Sequence, residues 1–271
     1  MYLKKYFLKG PALFNPSVNK MKHEGDIVRA RNNFLNKRFR NLDFLLKKRF
    51  SWMNEYIEMV NGAILEIGCG AAFSSLYIER EIIHSDYEKT DWMDMQVDAL
   101  NMDIEDESIG AIIASHNIHH FSNPFKFFKE VERVLKPSGL LIIQEVNTSL
   151  CMRLLLKFMR HEGWSYEIDP FSKDLDANDP NNPWSANCSI PEMLFDDSAK
   201  FENIFSRLQI IKNKKNEFLI FPLSGGVIAK IDFPELPNII LNLAHLVDRV
   251  LVRLFPNIFA MGMSVVIKKI A

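Results

Sequence analysis

The chain has 271 residues, 48% of them hydrophobic and 25% charged, which excludes a disordered or collagen-like polymer and fits one α/β core with insertions. Thirty-three Lys and Arg against 34 Asp and Glu leave a formal charge of -1, so there is no global electrostatic case for nucleic-acid binding. Cys69, Cys151 and Cys188 are an odd, widely spaced set that makes neither a disulfide framework nor a metal-ligand motif. They point to a reducing cytoplasm and to no bound metal.

Met1 to Pro16 is basic around Lys4, Lys5 and Lys9, but Gly10 and Pro11 interrupt any apolar run, so no signal peptide is expected. Residues 20–50 hold ten Lys or Arg and three Asp or Glu, with Leu35, Phe39, Leu42 and Leu46 at helical spacing. The pattern predicts a basic amphipathic helix within an N-terminal helical cap, 1–58. Its positive face is either solvated or turned to an anionic substrate or lipid surface.

From residue 63 short apolar runs alternate with helical ones, the signature of parallel βα units. Strands are expected at Ala63–Ile67, near Ile82–Ser85, near Met95–Asp98, at Ile109–Ser115 and at Leu140–Val146. A helix begins at Phe73, and another opens at Pro124 and stops at Pro137. Only 12 positions separate Asp86 from Asp98, which leaves little room for a helix between the second and third strands. These elements make a core over 59–150.

Residues 161–191 are rich in Asp, Asn and Pro and too long for an ordinary connection, so they read as a substrate loop. Beyond it, Ser198–Leu208 is helical in pattern, and Phe218–Pro222 and Met263–Lys269 have the pattern of strands. Between them Ile239–Phe255 is greasy but carries His245, Asp248, Arg249 and Arg253 and is bracketed by Pro237 and Pro256, which predicts an amphipathic rather than a transmembrane helix. Its apolar face is assigned to the core, with a dimer interface or lipid as alternatives. Loop, helices and closing strands form the unit 151–271.

The strand ending in Glu66 runs into Ile67-Gly68-Cys69-Gly70-Ala71-Ala72, a glycine turn that presents backbone N–H groups at a helix start. A dinucleotide fingerprint would need a small residue where Phe73 stands, and no Gly-Lys-Ser/Thr follows for a phosphate loop. The order Glu-x-Gly-x-Gly-x-Ala instead resembles the class I S-adenosylmethionine-dependent methyltransferases, in particular their type 11-like subgroup. The resemblance covers roughly residues 60–147. It takes in Asp86, 20 positions after Glu66, Val97-Asp98-Ala99-Leu100, Ser115-His116-Asn117-Ile118-His119-His120 and Arg133-Val134-Leu135-Lys136-Pro137-Ser138-Gly139. Ala72 replaces a third glycine, Gly110 stands where the family often has Asp, and Ser138 takes a glycine position.

The resemblance implies a Rossmann-like, seven-stranded, mostly parallel sheet flanked by helices, with the N-terminal cap and C-terminal insertions added. It implies S-adenosylmethionine as cofactor, with Glu66, Gly68, Cys69 and Gly70 at the methionine portion. Asp86 would serve the ribose hydroxyls, with Glu88 or Asp91 as alternatives, and Asp98 and Ala99 the adenine. Such a cofactor is already activated, so the protein mainly orients the acceptor and excludes water. For a hydroxyl acceptor a general base adds roughly 10²- to 10⁴-fold, and His116 and His119, beyond the fourth strand, are the candidates.

A looser resemblance, to methyltransferase-domain proteins associated with surface polysaccharides, rests on His161-Glu162, Pro183-Trp184-Ser185-Ala186-Asn187, Ile190-Pro191 and Leu223-Ser224-Gly225-Gly226. It implies a sugar or glycolipid hydroxyl as acceptor, with His161, Trp184 and Asn187 in contact with it. The alternatives are a small-molecule, quinone or RNA acceptor, the last disfavoured because no RNA-binding module is recognisable. A cofactor-binding scaffold without turnover is the rival of a different class. A cytoplasmic enzyme is expected, with peripheral contact at the inner membrane face as the alternative setting.

Overall fold

The computed structural model describes residues 26–159, 162–182, 185–228 and 233–270. The basic stretch predicted as one helix forms two, α1 (Ile27–Lys37) and α2 (Arg40–Phe50). Arg38, in the left-handed region at φ 45°, ends the first, and Phe39 is extended. Asp26 caps α1 by accepting the Arg29 N–H at 2.8 Å. Phe34, Leu42, Leu45 and Leu46 are buried, whereas Leu35 faces out. A 3-10 turn then leads into α3 (Asn54–Ile57).

β1 (Ala63–Ile67) is followed by a single 3-10 turn, Phe73–Leu76, where a helix was expected. Asn54 of the cap explains the shortfall: its amide takes the Tyr77 carbonyl at 3.0 Å and the Glu79 N–H at 3.1 Å, groups that a longer helix would use internally. β2 (Ile83–Asp86), β3 (Met95–Gln96) and β4 (Ile109–Ser115) follow, with no helix between β2 and β3. Next come α4 (Pro124–Val134), capped by Asn123, and β5 (Leu135–Val146), which starts earlier than the apolar run suggests. Ser138 adopts φ 65°, the conformation for which glycine would be the usual choice.

After β5 come α5 (Leu150–Met159), the loop, α6 (Ile190–Phe195) and α7 (Ser198–Ile204). The sixth strand is β6 (Leu208–Asn216), not Phe218–Pro222. Its Lys-rich sequence hides it, as suits an edge strand with one wet face. The 218–222 segment instead leads into a helical turn, α8 (Ile220–Leu223), because the buried Asp248 accepts the N–H groups of Phe218, Leu219 and Ile220 at 3.1, 2.7 and 3.2 Å. That aspartate belongs to α9 (Asn238–Leu254), which is followed by α10 (Pro256–Phe259) and β7 (Gly262–Lys269).

The seven strands lie in the order β3-β2-β1-β4-β5-β7-β6, with β7 antiparallel to both neighbours and the other pairs parallel. Alternate residues of the central strands feed two cores. Leu65, Ile112, Ile143 and Val265 pack towards α4 and its phenylalanines, while Ile64, Ile113, Ile142 and Val266 pack towards α1–α3. A sheet covered on both faces explains the unbroken apolar runs in the sequence. Strand order reverses between β1 and β4, so the crevice beyond their carboxyl ends is where such a sheet offers a ligand site.

Candidate functional site

The glycine turn leaves β1 at this crevice. Gly68 has φ +61°, and a Cβ there would meet the Asn117 amide nitrogen at 2.8 Å. That amide donates to the Ile67 carbonyl and so ties the turn to the segment beyond β4. Gly70 has φ +50°, and a Cβ there would meet no atom within 4 Å. Its N–H donates to Asp86 Oδ2 at 2.8 Å, and its carbonyl accepts from Trp92 Nε1 at 2.8 Å. Arg31 lies over the Trp92 ring at 4.9 Å and donates to the Ala71 carbonyl at 2.5 Å, so the cap braces the turn from outside. Beneath it the buried Glu66 accepts from Ser74 Oγ at 2.5 Å and pairs with His84 Nδ1 at 2.8 Å.

The turn opens on a cavity of about 1100 Å³ that also reaches Glu66, Cys69, Asp86, Asp98 and Ala99 on one side and His116, His119 and Glu162 on the other. Tyr87 and Glu88 contribute after Asp86; Asp91 does not. Asp98 Oδ1 accepts the Leu100 N–H at 2.9 Å. Burial pushes the Cys69 thiol up, and the Glu66 and Asp86 carboxylates add to the effect, so it is no nucleophile.

Two of the three residues assigned to the acceptor, His161 and Trp184, lie outside the described residues. Asn187 is off the cavity wall. Its amide oxygen accepts the Ser165 N–H at 2.9 Å and the Ser189 N–H at 3.2 Å, and its amide nitrogen donates to the Ser165 carbonyl at 3.0 Å. It knits the loop together rather than offering groups to a ligand. The loop does supply Asp179, Asn181 and Asn182 to the cavity and is held over it by the Asn178 amide, which donates to the carbonyls of His119 and Phe121 at 2.9 and 3.0 Å.

The three histidines beyond β4 have different fates. His116 sits at φ 54°, with its N–H on the Gln144 carbonyl at 2.8 Å. Its Nε2 is buried and has no hydrogen-bond partner among the described residues. Burial, with Arg49 and His119 nearby, holds it neutral and well below the usual histidine range. His119 is also buried, which by itself would lower its pKa. However, its Nδ1 lies 2.7 Å from Glu145 Oε2 and its Nε2 3.6 Å from Glu162 Oε2, and the two carboxylates raise it to about 10. Both ring nitrogens of His119 are thus turned to carboxylates, and in its protonated form it has no lone pair to offer a hydroxyl. Burial and the neighbouring His119 push His120 down to about 4, and its Nδ1 lies 3.2 Å from the Ser185 carbonyl.

Glu145, Glu162, Asn117 and Arg49 receive no site role in the sequence reading, where Asn117 and Glu162 stand only within matched segments. An acid and an amide embedded at the end of an apolar strand, Ile142-Ile143-Gln144-Glu145, are the one local signal that could have found Glu145, since buried charge is retained only with partners. Cys188 Sγ lies 3.1 Å from Glu162 Oε2, and His119, Glu162 and Cys188 offer ligand atoms within 4.8 Å of one another. Hydrogen bonds among them already account for that approach.

Residues 65–143 match the family model described as a methyltransferase domain. No curated protein matches the chain. Solved structures similar to it include an S-adenosylmethionine-dependent methyltransferase from Archaeoglobus fulgidus, 17% identical, covering 88% of this chain and 99% of that one at a TM-score of 0.47. The YcgJ protein of Bacillus subtilis is 17% identical, covering 82% and 98% at 0.45. A possible histamine N-methyltransferase from Thermotoga maritima is 16% identical, covering 89% and 99% at 0.44.

Proposed function

The chain carries a class I S-adenosylmethionine-dependent methyltransferase domain, with S-adenosylmethionine as its cofactor, and from that premise we propose that it methylates a hydroxyl of a sugar or glycolipid. The carrying observation is that His116 and Asn117 line the cavity while two of their buried polar atoms, His116 Nε2 and Asn117 Oδ1, have no partner among the described residues. Buried polar atoms in a native protein are usually satisfied, and a ligand or water entering the cavity would supply the partner these two lack.

The residues present suit the cofactor. Gly70 leaves open space above the turn, and Glu66 and Asp86 stand at the ends of adjacent parallel strands. In this reading Glu66, Gly68 and Gly70 hold the methionine portion, Asp86 the ribose, and Asp98 with the Ala99 backbone the adenine. When bound, S-adenosylmethionine supplies a methyl group on a sulfonium that needs no further activation. His116 Nε2 accepts the proton of the acceptor hydroxyl, and the neutral state enforced by its surroundings keeps its lone pair available. His119, fixed between Glu145 and Glu162, positions the segment that carries His116. The loop residues Asn181 and Asn182 give the cavity amides suited to hydroxyls, while Leu155 and Met159 give it an apolar side.

Formation of S-adenosylhomocysteine by the purified protein, measured with nucleotide sugars and lipid-linked oligosaccharides, is the direct test. Turnover confined to quinone-like or small aromatic acceptors would overturn the sugar reading. Cofactor binding without turnover on any acceptor or cell extract would favour a scaffold.

A further inference from the structure

Helix α9 is apolar on both sides. Leu241, Ala244, Asp248 and Val252 face the core. At 100° per residue the opposite side carries Ile239, Leu243, Leu246, Val250 and Leu254 in one narrow stripe, and these are 78%, 61%, 54%, 49% and 62% exposed. The sequence assigned that apolar face to the core; half of it lies in solvent. The patch continues over Phe255 and Ile258 of the following turn, and α10 packs against both α9 and α5, whose Leu154 and Phe158 are exposed as well. A monomeric soluble protein rarely leaves so extended an apolar surface uncovered.

We infer that this face, built by α9, α10 and the outer side of α5, docks on an anionic phospholipid surface. The charge pattern selects that occupant. Arg249, Arg253 and Lys157 are exposed and Arg153 half-buried on these three helices, and the only acid among them, Asp248, points inward to cap the start of α8. In a chain with a formal charge of -1, such a one-signed rim is a local bias. Arg249 and Arg253 border one edge of the apolar stripe, as expected of a helix lying in the interface with its apolar face in the acyl boundary and its cations at lipid phosphates. Spanning is excluded for the described helices, none of which is long and apolar enough to cross a membrane.

The position of the patch matters for the site. Met152, Leu155, Leu156 and Met159 of α5 line the cavity, while Leu154 and Phe158 look the other way, so a single helix separates the docking face from the cavity. The inference stands whichever acceptor is methylated.

Flotation of the full chain with vesicles of phosphatidylcholine alone, and of phosphatidylcholine mixed with phosphatidylglycerol, tests it. The expected result is co-flotation with the anionic vesicles that weakens as salt rises. A Leu243→Glu/Leu246→Glu variant should bind both vesicle types at least about ten-fold more weakly, and an Arg249→Glu/Arg253→Glu variant should lose about as much on the anionic ones alone. Both variants lie off the cavity wall, so unchanged calorimetric binding of S-adenosylhomocysteine certifies their fold. Wild-type protein that stays behind with both vesicle types overturns the inference. So does a Leu243→Glu/Leu246→Glu variant that floats like wild type. A wild-type dimer that ignores vesicles and is split by that variant overturns it in favour of a second copy.

Discussion

Arg49 and Glu217, 168 positions apart, meet through two hydrogen bonds, Nε to Oε1 at 2.9 Å and Nη2 to Oε2 at 2.7 Å, with both side chains 5% exposed. The pair clamps α2 of the cap to the end of β6, and Gln144 Nε2 adds a donor to Glu217 Oε1 at 3.2 Å. Removing one partner of a buried, forked pair strands the other charge without solvent. Arg49→Met is therefore expected to cost about 3–5 kcal/mol of unfolding free energy. Adding Glu217→Gln to it should recover part of the loss, because the amide is neutral and can still accept from Gln144. Urea titrations of the two variants read both effects.

Gly68 and Gly70 share a left-handed backbone, yet their surroundings differ. An alanine at either position carries a conformational penalty of about 1–2 kcal/mol. Gly68→Ala also drives its methyl into the Asn117 amide at 2.8 Å, so it should lower the melting temperature and loosen the turn. Gly70→Ala meets nothing within 4 Å. It should fold with a smaller loss of stability and still bind S-adenosylhomocysteine poorly, because the new methyl occupies space assigned to the cofactor. Calorimetry beside thermal melts separates the two, and full affinity in Gly70→Ala would remove the cofactor from that side of the turn.

The parallel core was legible because strands buried on both faces read as continuous apolar runs, and because the spacing from Glu66 to Phe73 rejects a dinucleotide turn. What escaped was set by partners distant in sequence. The helix expected after Phe73 is cut short by Asn54, a strand at Phe218–Pro222 is replaced by a turn capped by Asp248, and β6 hides in an edge sequence of lysines and asparagines. At the site the residue types beyond β4 were visible, but their charge states were not. The charge of His119 depends on Glu145 and Glu162, which reach the cluster from β5 and the long loop, and that of His116 on burial and on Arg49 from the cap.

Those charge states give stability a pH dependence with a definite sign. The folded-state pKa of His119, about 10, lies above the ordinary value of 6.5. Its contribution is fully present below pH 6.5, where both states hold the proton, and is lost as pH rises through about 10, since between these limits only the native state stays protonated. His120, at about 4, acts in the opposite direction: its native state refuses a proton that the unfolded chain accepts, so stability falls as pH drops from 6.5 towards 4. Urea midpoints across this range should peak near the crossover. Glu145→Gln, which removes the carboxylate 2.7 Å from His119 Nδ1, should flatten the alkaline limb, and the acid limb moves with it because His120 feels both His119 and Glu145. An unchanged alkaline limb would show that His119 is not the group responsible.

The catalytic assignment makes a sharper demand, because His116 and His119 predict different rate profiles. A neutral His116, depressed well below 6.5, is competent throughout neutral pH, so kcat should be level there and fall only in distinctly acid solution. Were a deprotonated His119 the base, kcat would instead climb towards about pH 10. The informative variant is His116→Asn rather than alanine, because asparagine tolerates the left-handed backbone at φ 54° that this position requires. It should lower kcat by roughly 10²- to 10⁴-fold while leaving cofactor affinity within a few-fold of wild type, since His116 is assigned to the acceptor proton and not to the cofactor. A proportional loss of cofactor binding would make His116 a wall of the cofactor pocket, and undiminished kcat would transfer the proton to solvent.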